Sequence, residues 1–273
     1  MSDLRTVGLD LAKNTFFAVA LSGAGKRLWR KKLSRTQVLR TFAEQQVCRI
    51  AMEACAGAHY WSRKLQELGH EVVLLPAHHV KGYLRGQKND YNDAEAIAEA
   101  CLHGRLRPVR PKTLEQQEMQ SLHRMRKLLV AERTALVNHV RGLLAEYGVV
   151  IAQGRARFGR EMPFVLEDAE NDLTPRMREL LARQLQRYRA LDEELSWYDQ
   201  QIKEQVRQDA VCRQLMTVPA FGPVVSSVFR GWIGDGKQFR RGRDASAALG
   251  IVPRQYSTGG KPTLLGITKK GDK

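Results

Sequence analysis

The sequence has few cysteines, and they are not arranged as metal ligands. Its four cysteines are Cys48, Cys55, Cys101 and Cys212, and no two of them form a C-x-x-C pair. A zinc ribbon or a dithiol redox motif needs such pairs, so neither is indicated. Scattered thiols are typical of proteins that work in a reducing cytoplasm.

Long apolar segments are also missing. The first residues, Met-Ser-Asp-Leu-Arg, lack the apolar core of a secretory signal peptide. No uninterrupted apolar run approaches the length of a membrane span. We therefore expect a cytoplasmic protein that has no membrane partner.

Acidic residues are scarce relative to basic ones. The 273 residues include 45 Lys and Arg against 29 Asp and Glu, a formal net charge of +16, while a hydrophobic fraction of 43% can support folded cores. An excess of this size favours polyanionic partners, because each phosphate contact releases condensed counterions. Nucleic acid is the expected partner, although a ribosome-associated or simply basic protein has the same composition.

The first part of the chain predicts a mixed sheet. Short apolar runs at 5–11 and 14–21 are typical of a β-hairpin. Further strands are predicted at 26–33, 47–54 and 71–75, and helices at 36–46, 59–68 and 90–102. This order of elements indicates an α/β domain with helices on the faces of the sheet.

The middle of the chain predicts two long helices with coiled-coil spacing. Apolar residues recur every seven positions in two series, Leu122, Leu129, Leu136 and Leu143, then Leu181, Tyr188, Leu195 and Ile202. Residues 151–175, which are rich in Gly, Pro and charge, are predicted to be a loop. A hairpin packed on itself and a dimerisation arm both fit this pattern.

Basic side chains on these two helices can follow an RNA or DNA backbone, or form a solvated face. They are Arg124, Arg126, Lys127, Arg133, Arg183, Arg187 and Arg189. Beyond them, residues 218–223 resemble the turn of a helix-hairpin-helix element, and residues 253–262 are predicted to be a loop.

Four carboxylates stand at positions that suit a metal site. Asp10 and Glu53 end apolar strand patterns, and Asp90 and Asp93 share one face at the start of a predicted helix. Together they can converge on one or two hard cations such as Mg²⁺, which prefers oxygen ligands. The alternative is that Asp90 caps the helix and Asp93 is a solvated acid of its first turn. Asp10 and Glu53 would then be charges at the edge of the sheet.

A serine beside two glycines is the second candidate feature. Ser257 lies in the segment Y-S-T-G-G-K, where it is either a turn residue or a nucleophile whose small neighbours let a phosphate approach. Ser226, Ser227 and Ser246 compete for the role of nucleophile. No histidine in this segment offers itself as a base.

The chain resembles a known family over nearly its whole length. Segments 8–13 (GLDLAK), 52–55 (MEAC) and 88–94 (KNDYNDA) are similar to the acidic motifs of the DEDD insertion-sequence transposases. Segment 215–270, with LGIVPR and STGGK, is similar to the second domain of that family. Asn89 stands where the family more often has Ser or Thr.

The resemblance implies three domains. They are an α/β ribonuclease-H-like (RuvC-like) catalytic domain at 1–110, a helical coiled-coil arm at 111–212, and a small mainly helical serine domain at 213–273. Family members continue beyond residue 273 into a further helix, so we expect the last domain to be truncated.

The resemblance also implies a chemistry. Asp10, Glu53, Asp90 and Asp93 would hold Mg²⁺, and Ser257 would form a covalent phosphoserine link to DNA. The partners would be donor and target DNA, a bridge-type guide RNA, and further copies of the chain in a dimer or tetramer. Two alternatives stay open: a metal-dependent endonuclease of the Holliday-junction type that uses water, and a non-catalytic nucleic-acid-binding remnant.

Overall fold

A computed structural model describes residues 5–85, 87, 89–104 and 106–268, and of Arg155 the backbone alone. Its contacts divide the chain into two compact units, Met1–Thr113 and Leu114–Lys273. The domain boundaries expected at 110 and 212 remain predictions. None of the described helices is long and apolar enough to cross a membrane.

The first unit is built on a five-stranded sheet. Its strands are β1 (Thr6–Asp10), β2 (Thr15–Leu21), β3 (Arg27–Ser34), β4 (Arg49–Glu53) and β5 (Glu71–Leu75). They are ordered β3-β2-β1-β4-β5, with antiparallel pairing among β1, β2 and β3 and parallel pairing of β1 with β4 and β4 with β5. The prediction of a mixed α/β sheet is confirmed.

Helices cover both faces of this sheet. They are α1 (Gln37–Ala43), α2 (Ala58–Glu67), α3 (Ala77–Val80), which runs into a 3₁₀ turn at Lys81–Tyr83, and α4 (Asp90–His103). Because strand side chains alternate between faces, Phe16 and Ala18 pack towards α1 and α2, whereas Val19 and Leu21 pack against α4. Both sets are buried, which explains why the strands read as continuous apolar runs.

Helix α4 lies unusually close to the central strand β1. A Cβ atom added at Gly8 would lie 2.0 Å from the Ala94 carbonyl oxygen and 2.6 Å from the Ala98 amide nitrogen. Ala94 and Ala98 are themselves fully buried. Only glycine fits at position 8, and its lack of a side chain lets the start of α4 approach the end of β1.

The second unit is mainly helical. Its elements are α5 (Leu114–Ala145), α6 (Arg155–Glu167), α7 (Pro175–Gln208), α8 (Ala210–Leu215), α9 (Pro223–Ile233), α10 (Gly242–Ala248), β6 (Pro253–Gln255) and β7 (Leu264–Ile267). Helices α5 and α7 pack on each other through the predicted heptad positions, among them Leu136, Leu181 and Tyr188. Whether a second copy also packs on this arm remains a prediction.

Two ion pairs show that α5 and α7 run antiparallel. Arg126 Nε donates to Asp199 Oδ1 at 2.6 Å, and Arg133 pairs with Asp192. From the first pair to the second, the position on α5 advances by seven residues while the position on α7 goes back by seven. Arg133 is buried, and Arg187 pairs with Glu132. These three arginines, considered above as nucleic-acid contacts, thus form ion pairs between α5 and α7.

Residues 151–175 are not the loop that their composition predicts, because they contain α6. Phe158 and Met162, four residues apart, are fully buried against the arm and define one apolar helix face. Gly159 lets the helix approach Tyr188 closely. A Cβ atom added at Gly159 would lie 3.1 Å from the Tyr188 ring. Gly159 and Pro163, which suggested a loop, lie inside the helix.

The end of the described chain forms a β-hairpin. Strands β6 and β7 pair antiparallel, so that Pro253 lies opposite Ile267 and Gln255 opposite Leu264. The loop predicted at 253–262 therefore begins as a strand. Three short helices and this hairpin follow the arm, and residues 269–273 lie outside the described range.

Candidate active site

Two of the predicted acids lie side by side at the carboxyl ends of neighbouring parallel strands. Asp10 is the last residue of β1 and Glu53 the last residue of β4, its parallel neighbour. Gly8 pairs with Ala51, so each acid lies two residues beyond this pair. Since residues two apart in a strand share a face, both carboxylates lie on the side that α4 covers.

The other two acids are placed by the start of α4. Asn89 is the N-cap, and its Oδ1 accepts hydrogen bonds from the amides of Tyr91 at 2.8 Å and Asn92 at 3.2 Å. Asp90 is therefore the first residue of the helix and not its cap, which excludes the capping alternative for this residue. Asn is as good a cap as Ser or Thr, so the departure from the family pattern at 89 keeps the helix start.

Three of the four carboxylates converge. One carboxylate oxygen from each of Asp10, Asp90 and Asp93 lies within 4.8 Å of the other two. Glu53 is outside this group. Oxygen atoms at such spacing are the ligands that a hard divalent cation such as Mg²⁺ prefers, so the chemistry of the donor set fits that ion.

Burial and the charges of neighbouring acids raise the pKa of Asp10 and of Glu53. Burial of its carboxyl is the main reason that the pKa of Asp10 rises from 3.8 to about 6, and the charges of Asp93, Glu53 and Asp90 add to the increase. Burial, followed by the charge of Asp93, also raises the pKa of Glu53. Glu53 thus lies close enough to the group to interact with it, and the site carries negative charge that a cation would compensate.

Sequence reasoning missed a basic residue at this site. The ammonium group of Lys81 acts on Glu53 in the opposite direction to burial, lowering the pKa of that carboxyl. Lys81 is exposed and lies in the 3₁₀ turn that follows α3. A single lysine in a basic sequence carries no local pattern that would have distinguished it.

Ser257 is exposed on a tight turn of the second unit. Between β6 and β7, the Lys261 amide donates to the Thr258 carbonyl at 3.1 Å, closing a turn whose central residues, Gly259 and Gly260, have φ of 57° and 78°. Positive φ at both positions is why two glycines occur there. The side-chain amide nitrogen of Gln255 donates to Ser257 Oγ at 2.8 Å.

The competing serines are less accessible. Ser226 and Ser227 are fully buried in α9, where the Ser227 hydroxyl donates to the Pro223 carbonyl at 2.7 Å. Ser246 lies partly exposed in α10. Ser257 is therefore the most exposed residue of the four candidates.

Two family models match the chain. The DEDD transposase model of the IS110 type matches residues 7–149, and the model of the transposase IS116/IS110/IS902 family matches residues 212–273. The first match contains the four acids, and the second contains Ser257.

Curated transposases are similar to the chain along its whole length. The transposase for insertion sequence element IS1111A of Coxiella burnetii is 39% identical over 272 residues, covering 100% of this chain and 75% of the relative. The transposase for insertion sequence element IS1328 of Yersinia enterocolitica is 38% identical, with 100% and 81% covered. A probable family 20 transposase of Pseudomonas aeruginosa is 42% identical, with 99% and 80% covered.

Among solved structures, RuvC of T. thermophilus in complex with a Holliday junction substrate is similar at 12% sequence identity. The match covers 39% of this chain and 99% of RuvC, with a TM-score of 0.28. A TM-score of this size is too low to establish a shared fold.

Proposed function

We propose, since the chain belongs to the IS110 family of DEDD insertion-sequence transposases, that its cleavage and rejoining of DNA use bound Mg²⁺ and a serine nucleophile. The proposed ligands are Asp10, Glu53, Asp90 and Asp93, and the proposed nucleophile is Ser257. The observation that carries the proposal is the convergence of three carboxylates within 4.8 Å at the end of β1.

The acids have a defined task in this proposal. A bound divalent cation would stabilise the charge that develops on the attacked phosphate. Asp10, Asp90 and Asp93 would bind it directly, and Glu53 would complete the set from the neighbouring strand. The family match indicates dependence on a divalent cation, and the all-oxygen donor set supports magnesium as that cation.

Ser257 would exchange one phosphate ester for another. Its Oγ attacks phosphorus, the new P–O bond replaces the bond to a sugar oxygen, and that oxygen leaves as a hydroxyl with the serine proton. Attack by a second DNA hydroxyl then reverses the exchange and frees the serine. The hydrogen bond that Gln255 donates would hold Oγ in position until the phosphate arrives, and Gly259 and Gly260 would leave room for the phosphate.

The proposal includes the fold and the partners. We assign the first unit to the ribonuclease-H-like (RuvC-like) fold, supported by a mixed sheet that carries acids at the ends of two central parallel strands. Recombination of donor and target DNA would be directed by a bridge-type guide RNA, which the net charge of +16 accommodates. The active form would be a homo-oligomer.

Covalent trapping tests the serine. The protein, with RNA transcribed from the flanks of its gene and Mg²⁺, is mixed with labelled donor and target DNA and then separated by denaturing electrophoresis. We expect a DNA-linked protein band that Ser257→Ala abolishes. Thr258→Ala, which removes the neighbouring hydroxyl on the same turn, should keep the band.

The other outcomes are equally informative. Cleaved DNA without a covalent band, unchanged in Ser257→Ala, would show that water is the nucleophile. A covalent band that survives Ser257→Ala would assign the link to another residue. Full strand transfer by Asp10→Asn would contradict the metal site.

A further inference from the structure

A surface of two cations and two aromatic rings lies beside the acids. We call Phe17, Arg30, Lys32 and Tyr91 the cation–aromatic patch. The Arg30 guanidinium lies 5.0 Å from the centre of the Tyr91 ring, and the Lys32 ammonium 5.9 Å from that of Phe17. The two rings meet edge to face at 4.9 Å. Cations at such distances are held by the ring faces.

Strand register puts the patch on the same face of the sheet as the acids. On the edge strand β3, Arg30 pairs with Val19 and Lys32 with Phe17. Phe17 in turn lies directly opposite Asp10 on β1. Paired residues on neighbouring strands point to the same face, with Cβ atoms about 5 Å apart. The patch therefore adjoins Asp10.

Helix α4 also connects the cation–aromatic patch to the acids. Tyr91, which contacts both Arg30 and Phe17, lies between Asp90 and Asp93 in the sequence of the helix. The patch is thus attached to the acids through β1 and through α4, and both attachments use residues of regular secondary structure.

The two cations keep their charge available. Arg27, on the same strand, forms an ion pair with Glu95 at 3.2 Å. Arg30 and Lys32 are exposed, and within the described part of the chain neither has a carboxylate partner. Charged residues on an edge strand also protect it from aggregation, but that role does not require them to lie over aromatic rings beside an acidic site.

We propose that the cation–aromatic patch binds the backbone of the DNA strand that is cut, next to the phosphate attacked at the carboxylates. The acids repel a DNA backbone, so a neighbouring positive surface is needed to hold it there. Residues two apart advance about 6.6 Å along a strand. Successive phosphates of one DNA strand lie at a comparable distance, because each rises along the helix axis and also turns around it. Arg30 and Lys32 therefore suit two neighbouring phosphates.

This inference rests on the proposed function in one respect, that DNA is the substrate at the carboxylates. DNA is favoured over the guide RNA as occupant because the patch contacts the residues that flank the acids. Binding measured in EDTA requires neither the metal nor Ser257. Failure of the serine mechanism would therefore leave this test unaffected, and failure of the patch would leave covalent trapping unaffected.

The chain offers a matched pair of variants. Lys32→Gln removes one charge from the patch, and Lys31→Gln removes the same charge from the adjacent residue. Lys31 pairs with Ala18, lies on the opposite face of the sheet and contacts the Trp29 ring at 5.2 Å. Both side chains are exposed, so neither change should affect folding.

Binding of a labelled 30-base-pair DNA duplex by the full chain would be measured by fluorescence anisotropy in EDTA across a range of salt concentrations. One lost phosphate contact lowers the log–log salt slope by about 0.9, which corresponds to about eightfold weaker binding at 0.1 M salt. We expect this for Lys32→Gln and for Arg30→Gln, and no change for Lys31→Gln.

Equal losses in Lys32→Gln and Lys31→Gln would overturn the proposal, because only general charge would then matter. No loss in either variant would also overturn it. The same titration with the guide RNA gives a third outcome: weakened RNA binding with unchanged DNA binding would assign the patch to RNA and refute the proposal.

Discussion

Replacing Asp10 by Asn should make the metal-free protein more stable while abolishing its activity. The folded state holds a proton on Asp10 more tightly than the unfolded state, with a pKa of about 6 against 3.8. Above pH 6 the ionised carboxylate therefore destabilises the fold. The neutral amide of Asn has the same shape without the charge.

The size of the effect follows from the pKa difference. A rise of about two pKa units at about 1.4 kcal/mol each gives an upper limit of about 3 kcal/mol. Asp10 is partly exposed, and solvent screening reduces this to about 1–2 kcal/mol. The sign is set by the raised pKa: the penalty is absent below pH 3.8, grows as the pH rises towards 6, and is complete above it.

Urea unfolding in EDTA, followed by circular dichroism at several pH values, measures this difference. The free energy of unfolding of Asp10→Asn should exceed that of the wild type by about 1–2 kcal/mol at pH 7.5 and by much less at pH 4.5. Added Mg²⁺ should stabilise the wild type more than the variant. A variant that is no more stable than the wild type at pH 7.5 would refute the electrostatic account of the site.

Three further results are expected. Gly8→Ala should destabilise the first unit by about 3 kcal/mol or more, because the new Cβ meets the Ala94 carbonyl oxygen at 2.0 Å; Gly82→Ala, with nothing within 4 Å, is the control, and equal urea midpoints would contradict the close contact. Asn89→Ala should cost about 1 kcal/mol of unfolding free energy through loss of the α4 cap, and Asn89→Ser should restore it. Calorimetric Mg²⁺ affinity should increase as the pH rises through about 6, because Asp10 must lose its proton to bind; constant affinity between pH 5 and 7.5 would contradict its role as a ligand.

The sequence predicted the elements whose patterns are local. The five strands of the first unit and helix α4 lie within a few residues of their expected positions, because apolar runs and helix formers mark them directly. Asp10 and Glu53 were found because each follows an apolar run. Helix α6 was missed because Gly159 and Pro163 outweighed the spacing of Phe158 and Met162, which only packing against the arm reveals.

Features that depend on register or on distant neighbours could not be read in advance. That Asn89, and not Asp90, caps α4 depends on a difference of one residue in the helix start. The approach of Lys81 to Glu53 and the position of Lys32 opposite Phe17 join segments that lie far apart in the sequence. No periodicity within one segment encodes such contacts.

Because of the close contact at Gly8, the positions of the acids depend little on how well the side chains of the surrounding core pack. Main-chain atoms of α4 face the main chain of β1 there, so van der Waals contact between main-chain atoms, more than the shape of large side chains, sets the spacing between strand and helix. Substitutions elsewhere in the core should then lower the melting temperature well before they move Asp10 away from Asp90 and Asp93. A lineage of such proteins can accordingly change much of its interior while the distances between its carboxylates stay the same.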